Sequence, residues 1–446
     1  MLTFFRKKMK SIMIIIAVVF IGSMFYGLSF TRLPGGGGGP EKTLARVNGT
    51  AVDPMRYQEM INRLMQQLGN KQIQPSDLAF IQNMALGQTV DFMVVLGEAK
   101  RKVRVANNEV DGAINGLMQQ QGFSSKQQLE MALKRMGSTF DKFKDMIRDE
   151  ILVQRMVTKV RSEVVVTPDD LREIRASHIL LSQEALAKDV LAKVKKGDNF
   201  TQLAKTYSLD TGSAIQGGDL GFFSTGMMVD PFEKAAFRLK VGEVSDLVKT
   251  NFGYHIIKVT DSRLRKFPGT EKNFDKAALM DKQQKTFTKW FSELRAKAKV
   301  EIVSPILQGH DYRFKGQVYE AIQAYKKAIS QEPNNPLLRV FLGDTYGMMG
   351  KKDLALTEYE AAVAIQGGSP VYYVVLGKAY EAFEQKDKAI KAYEQASLVA
   401  ADDKTAHEQL LKKFQELKAP AQVSHEREEL ARIAKREKFE KELKGK

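Results

Sequence analysis

Apolar positions change their spacing several times along the chain, and each change marks a boundary. Residues 11–30 are mostly apolar and uncharged with no polar face, the length needed to cross a hydrocarbon core of ~30 Å. From 54 to 161 the apolar residues recur at three- and four-residue steps, which predicts helices over 54–68, 76–104, 107–120, 125–135 and 139–161. Their breaks fall near Gly69, Asn107, Gly122 and Gly137. The period then shortens: Ile174–Leu181 and Tyr254–Val259 are strand-length runs of β-branched and aromatic residues. Between them lie helical spacings at 185–196 and 200–207 and a glycine-rich loop over 212–226. Helical spacing returns over 274–297, gives way to strand alternation at 298–303, and resumes from 305 onward.

Local signals refine these boundaries. Leu44–Val52 reads as two short strands around an Asn48-Gly49 hairpin turn, with Asp53 as cap and Pro54 as the first residue of the next helix. Pro34, Gly35 to Gly39 and Pro40 form a tether with no side chains to pack. Arg6, Lys7, Lys8 and Lys10 precede the apolar run and only Arg32 follows closely, so the positive-inside rule places the N-terminus in the cytoplasm and the bulk outside. An uncleaved anchor fits the long run and the missing small-residue cleavage site; a cleaved signal peptide is the rival reading.

The segment from 305 to 401 repeats itself. Gly309, Gly343 and Gly377 are spaced by one constant step, and the same step separates Tyr312, Tyr346 and Tyr380; Ala321, Ala355 and Ala389; Tyr325, Tyr359 and Tyr393; and Ala328, Ala362 and Ala396. Pro336 and Pro370 keep it too. Small residues at helix contacts and prolines at junctions resemble tetratricopeptide repeats, three helix pairs closed by a capping helix over 405–418. The resemblance implies a concave face that binds an extended peptide or a partner helix, or else a spacer or dimerisation surface. Residues 421–446 mix charge signs densely, as in a solvated helix or a disordered tail.

Composition narrows the chemistry. The chain has 446 residues, a formal charge of +16 and no cysteine, which excludes disulfides, thiolate metal sites and a thiol nucleophile. The positive charge is spread out, so it suggests solvated surface or attraction to anionic headgroups and acidic clients rather than nucleic acid. Ten of the 19 methionines lie between Met55 and Met156, where they either fill a core or present a pliable surface to unfolded sequences. There is no phosphate-binding loop; Gly217-Gly218-Asp219-Leu220-Gly221 lacks the spacing of a dinucleotide fingerprint. No metal-ligand cluster or nucleophile elbow occurs, and His310, His407 and His425 are scattered and expected at the surface. No metal and no cofactor is expected.

The two strand-like runs each carry one central histidine, His178 and His255, and pairing them as neighbours would bring the rings together. In order along the chain stand Arg175-Ala-Ser-His-Ile-Leu-Leu181, Tyr207-Ser-Leu-Asp210, Gly217-Gly-Asp-Leu-Gly-Phe-Phe223, Met228-Val-Asp-Pro-Phe232 and Thr250-Asn-Phe-Gly-Tyr-His255. This ordered set closely resembles parvulin-type peptidyl-prolyl isomerases over the whole of 173–263. The resemblance implies His178 and His255 as the paired-histidine core, Asp210 at a position that is cysteine or aspartate in parvulins, and Thr250 supporting the histidines. It implies Leu220, Phe223, Met228 and Phe232 as the pocket for the proline ring, with Phe252 following the bacterial pattern.

The Asn-Gly hairpin and capped helix upstream of that module resemble the chaperone domain of secretion foldases of the SurA, PpiD and PrsA type. In that group a helix and strand return to the lobe, so 298–303 is expected to pair with 44–52 around an inserted module. The expected architecture is multidomain. A basic N-terminus (1–10), a transmembrane anchor (11–30) and a linker (31–42) lead into an all-α chaperone lobe with a small hairpin (43–172). An α+β parvulin domain (173–263), a return helix and strand (264–304), an α-solenoid of repeats (305–418) and a charged tail (419–446) follow. The resemblance implies a foldase at the cytoplasmic membrane, single-pass and facing outward, that binds unfolded clients and isomerises X-Pro bonds non-covalently. Its rivals are a silent holdase and a repeat-based scaffold. Clients and the partner of the repeats are not named by the sequence.

Overall fold

The computed structural model describes residues 43–68, 73–135, 137–265 and 274–444. The apolar run at 11–30 and the linker lie outside these residues, as does Gly69. The chain forms two compact units, one made of residues up to Leu152 together with Lys297 onward, the other of Val153–Ala296.

In the first unit, β1 (Ala45–Val47) and β2 (Thr50–Ala51) turn at Asn48 and Gly49, whose φ values of 49° and 83° are those of a two-residue hairpin. The strand β7 (Val300–Ile302) completes the sheet in the order β2-β1-β7, with Ala45 opposite Ile302 and Val47 opposite Val300. Helix α1 (Pro54–Leu68) starts where Asp53 accepts the backbone N–H of Met55 at 2.8 Å. It is followed by α2 (Pro75–Lys102), α3 (Asn107–Gln120), α4 (Lys126–Arg135) and α5 (Phe140–Ser162), the last of which continues beyond Leu152 as part of the second unit. Val110, Ile114, Leu129, Leu133, Phe143 and Ile147 make one apolar core among the last three. The methionines divide between the two expected uses: Met60 and Met146 are buried, whereas Met84 and Met131 are exposed.

The repeats of the same unit are α11 (Pro305–Phe314), α12 (Val318–Gln331), α13 (Pro336–Met348), α14 (Lys352–Ile365), α15 (Pro370–Ala382) and α16 (Lys386–Ala400). These follow the second unit's helices and strands in the chain. Each pair closes at the same point. A Cβ on Gly309, Gly343 or Gly377 would stand 2.4, 2.8 or 2.5 Å from the ring of Tyr325, Tyr359 or Tyr393, so the glycine lets the tyrosine lie flat on the partner helix. Helix α17 (Lys404–Glu416) caps the array. The charged tail is α18 (Pro420–Lys444), pinned by the buried pair His407 Nδ1 and Glu426 Oε2 at 2.7 Å. His407 and His310 are thus interior residues, contrary to expectation, because each finds polar partners on other helices; His425 is exposed.

Nor does the concave face stand open. Its helices α11, α13 and α15 pack against α2 of the lobe, whose Ala79 is fully buried in the apolar core of the repeats. Pro75–Lys102 is also the one helix among the described residues long and apolar enough to cross a membrane, and about half of its apolar stretch is buried in this unit.

The second unit centres on an antiparallel sheet in the order β4-β3-β6-β5: β3 (Arg172–Leu181), β4 (Asp219–Phe223), β5 (Val248–Thr250) and β6 (Gly253–Leu264). Helices α6 (Glu184–Lys196), α7 (Phe200–Tyr207) and α9 (Asp230–Arg238) cover it through two cores, one around Ile179, Val190 and Ile256 and one around Ile174, Phe223, Phe232 and Ile257. The expected glycine-rich loop at 212–226 is instead a short helical turn, α8 (Thr211–Ala214), followed by the edge strand β4, because Phe222 and Phe223 complete the pairing with Arg175 and Ile174. Helix α10 (Phe274–Lys297) had been expected with the lobe. It packs within this unit: Lys282 reaches the buried Asp170 at 2.6 Å, Lys285 donates to the Thr225 carbonyl, and Arg265 bridges to Asp281 at 2.9 Å.

Candidate functional site

The register of β3 and β6 decides the site. His178 stands opposite Ile257 and Leu180 opposite His255, so the two histidines are diagonal neighbours on one face of adjacent central strands. Their rings stack at 5.3 Å between centroids, with Nδ1 of each 3.1 Å apart. His178 Nε2 lies 2.8 Å from Asp210 Oδ2, and His255 Nε2 lies 2.8 Å from Thr250 Oγ1. Both rings are buried, while a third of the Asp210 side chain remains open.

Bond direction along this chain follows from its two ends. The hydroxyl of Ser213, 2.5 Å away, and then His178 hold the Asp210 carboxyl below the usual aspartate range, so it stays a pure acceptor. His178 Nε2 therefore carries the proton. Where His178 is neutral, its Nδ1 accepts from His255 Nδ1–H. Burial, then the positive charge His178 carries when protonated, lowers the His255 pKa to about 4, so that ring is neutral; with its proton on Nδ1, its Nε2 accepts from the Thr250 hydroxyl. Thr250 Oγ1 in turn accepts the backbone N–H of Phe252 at 3.0 Å. Every polar atom of the relay has a partner, which holds both rings in place and orients the carboxylate.

The apolar residues gather on the same side. Phe232 sets its edge against His178 and His255, at 5.7 and 5.3 Å, and its ring lies 6.2 Å from Phe223. Leu220 and Met228 pack partly buried against that cluster. Phe252 joins the site through its backbone alone; its ring is 67% exposed. Of the nine residues singled out in the sequence, His178, His255, Asp210 and Thr250 form one hydrogen-bonded chain, Phe223, Phe232, Leu220 and Met228 pack together beside it, and Phe252 touches it only by its backbone N–H. Reading the sequence missed four supporting residues. Ser213 holds Asp210; Ser208 accepts from the backbone N–H groups of Leu180 and Asp210 at 3.1 and 3.3 Å. Glu233 accepts from Gly226 and Met228 at 2.7 and 3.3 Å and so sets the approach to Met228. Gly218, at φ 84°, passes so close beneath His178 that a Cβ would lie 2.2 Å from its carbonyl oxygen. The Gly-Gly pair was the one available signal.

A four-stranded antiparallel sheet with paired histidines, an aspartate and a phenylalanine-lined floor defines the module as a parvulin-type domain. Comparison with known families agrees: the family described as PPIC-type PPIASE domain matches residues 160–263, the SurA-like N-terminal domain matches 1–157, and tetratricopeptide repeat families match 309–350 and 371–403. The chain is 44% identical over 175 residues to the foldase protein PrsA of Geobacillus kaustophilus, covering 37% of this chain and 59% of that protein. It is 29% identical over 315 residues to PrsA of Caldanaerobacter subterraneus, covering 66% of this chain and 96% of that one. With the foldase protein PrsA 3 of Bacillus anthracis it shares 36% identity over 202 residues, 42% of this chain and 69% of the relative. The chain belongs to the PrsA foldase family, carries a parvulin-type peptidyl-prolyl isomerase domain and bears tetratricopeptide repeats beyond it.

Proposed function

We propose that this protein is a membrane-anchored, extracytoplasmic foldase that binds unfolded envelope or secreted proteins and isomerises their X-Pro bonds without a covalent intermediate. The observation that supports it best is the relay Thr250, His255, His178, Asp210 running beside the Phe232, Phe223, Met228 and Leu220 floor. The X-Pro amide prefers trans only slightly, yet it crosses a barrier of roughly 18–20 kcal/mol because rotation breaks amide resonance. No bond has to be made.

In this reading the apolar floor grips the proline ring, and the peptide is held in the twisted geometry of the transition state. Amide resonance places negative charge on the carbonyl oxygen. A carboxylate facing that oxygen opposes the planar form and so favours the twisted one, which gives Asp210 its role; His178, His255 and Thr250 position it. The anchor rests on the uncharged run at 11–30 and the basic residues before it, and tethering would raise the local concentration of clients emerging nearby. The helical lobe, with exposed Met84 and Met131, is assigned to holding those clients.

A protease-coupled isomerisation assay on a proline tetrapeptide series tests this with the full chain and its Asp210→Ala and Met228→Ala variants. A rate above the thermal background, reduced about tenfold or more by each substitution, is expected. A folded chain with no rate above background would leave the cleft as a binding site and the protein as a holdase.

A further inference from the structure

The concave face of the repeats carries a ligand already. Helix α2 lays one face along α11, α13 and α15 with three residues spaced by three. Ser76 Oγ lies 3.2 Å from Asp344 Oδ1, Ala79 is sealed at zero exposure, and Gln82 Oε1 lies 2.7 Å from His310 Nε2. Phe80 meets Phe314 edge-on at 5.7 Å, and Lys378 donates to Gln74 Oε1 at 3.2 Å.

The groove's polar groups are built around this helix. Asp344, its side chain 11% exposed, has Tyr359 and Arg313 as further partners, at 2.8 and 3.3 Å. His310 is fully buried, takes the Tyr325 hydroxyl on Nδ1 at 2.8 Å, and is left with a single N–H that only Gln82 meets. Burial keeps that ring neutral. Removing α2 would strip a partner from His310 and from Asp344 inside an apolar core, which is costly unless another helix supplies the same groups. The other half of α2 is committed to the lobe, where Ala85, Leu86, Val90, Val94 and Val95 are buried and the Tyr57 hydroxyl donates to the Gln82 carbonyl.

We propose that the repeat groove is a helix-binding site whose resident ligand is this chain's own α2, recognised by hydroxyl, small and carboxamide side chains at Ser76, Ala79 and Gln82. An outside partner enters the groove only as a helix of the same chemistry that displaces α2, and its entry loosens the lobe. The repeats are therefore a latch on the chaperone lobe rather than a free recruiting arm.

Hydrogen exchange on the full chain, wild type against Ala79→Arg, tests this together with binding of a labelled synthetic peptide of residues 73–88. An arginine forced into the sealed contact should cost α2, α11 and α13 about a hundredfold in amide protection while β3 and β6 keep theirs. The peptide should bind the variant and not the wild type. Should Ala79→Arg unfold the whole unit, the Ser76→Ala, Gln82→Ala double variant replaces it and should show a local loss of about tenfold. Wild-type protection in α2 of the double variant, peptide binding equally to wild type, or a wild-type chain that exchanges α2 between two copies as a dimer would each overturn the proposal.

Discussion

His255 shows how much one residue's surroundings determine. Its ring is buried between His178 and Thr250, and its pKa falls from 6.5 to about 4. Above pH 6.5 neither the folded nor the unfolded chain protonates it. As pH drops towards 4 the unfolded chain takes up a proton that the folded ring refuses, so stability is lost across that window. The carboxylates of this unit with lowered pKa values, Asp170, Asp210 and Asp219 among them, lose their contributions only below about 4. Urea titrations followed by Trp290, the only tryptophan, should therefore show a falling midpoint from pH 7 to 5, and His255→Gln should flatten that slope. Gly218→Ala makes a second test: a left-handed backbone and a Cβ 2.2 Å from the His178 carbonyl should cost more than about 1 kcal/mol and lower kcat/KM together with it. His178 and His255 were legible in the sequence because each sits centrally in a strand-length apolar run, and Asp210 only through the resemblance of its motif to parvulins. Ser213 and Glu233 were not, since a serine and a surface glutamate carry no pattern; only their bonds to Asp210 and to the 226–228 backbone reveal them.

At the scale of elements, the repeats were readable and their occupant was not. A constant step of glycines and tyrosines announces helix pairs, and the structure gives it a cause in the flat Gly–Tyr contacts. Gly343→Ala should thus destabilise the array by about 1–3 kcal/mol, seen as a shift of the far-ultraviolet dichroism transition without a shift of the Trp290 transition, which reports the other unit. By contrast, Ser76, Ala79 and Gln82 make no apolar stripe, and His310 meets Gln82 across 228 positions of sequence. Such contacts are invisible to periodicity. The tail was also underdetermined: dense charge says only that a helix can be solvated, whereas the buried His407–Glu426 pair holds α18 to its neighbour. Both nitrogens of His407 face acceptors, Glu426 Oε2 and the Ala401 carbonyl, while Glu426 Oε1 is buried without a hydrogen-bond partner. His407→Ala, which leaves Glu426 buried without it, should cost about 3 kcal/mol or more and free α18 to exchange its amides.

For the whole molecule, the pairing of β1 with β7 sets which pieces can stand alone. A chain shortened to 43–172 keeps α1 to α5 but loses Val300–Ile302 from the sheet and the repeats from α2. It should melt broadly, without the cooperative transition of the full chain, when followed by dichroism; a sharp melt equal to that of the full chain would refute the dependence. The second unit has its own sheet and two cores, and its unfolding should remain visible at Trp290 when α2 is unlatched.

The same sheet orders events in time. Val47 is made long before its partner Val300, and at roughly 5–20 residues per second the ribosome needs about 13–50 s to supply the second strand. During that interval β1 and the groove-facing side of α2 are uncovered, while the parvulin domain, complete by Leu264, already has all of its strands. The newborn protein is therefore itself an unfinished chain with uncovered surfaces, in the same condition as the unfolded clients proposed for it.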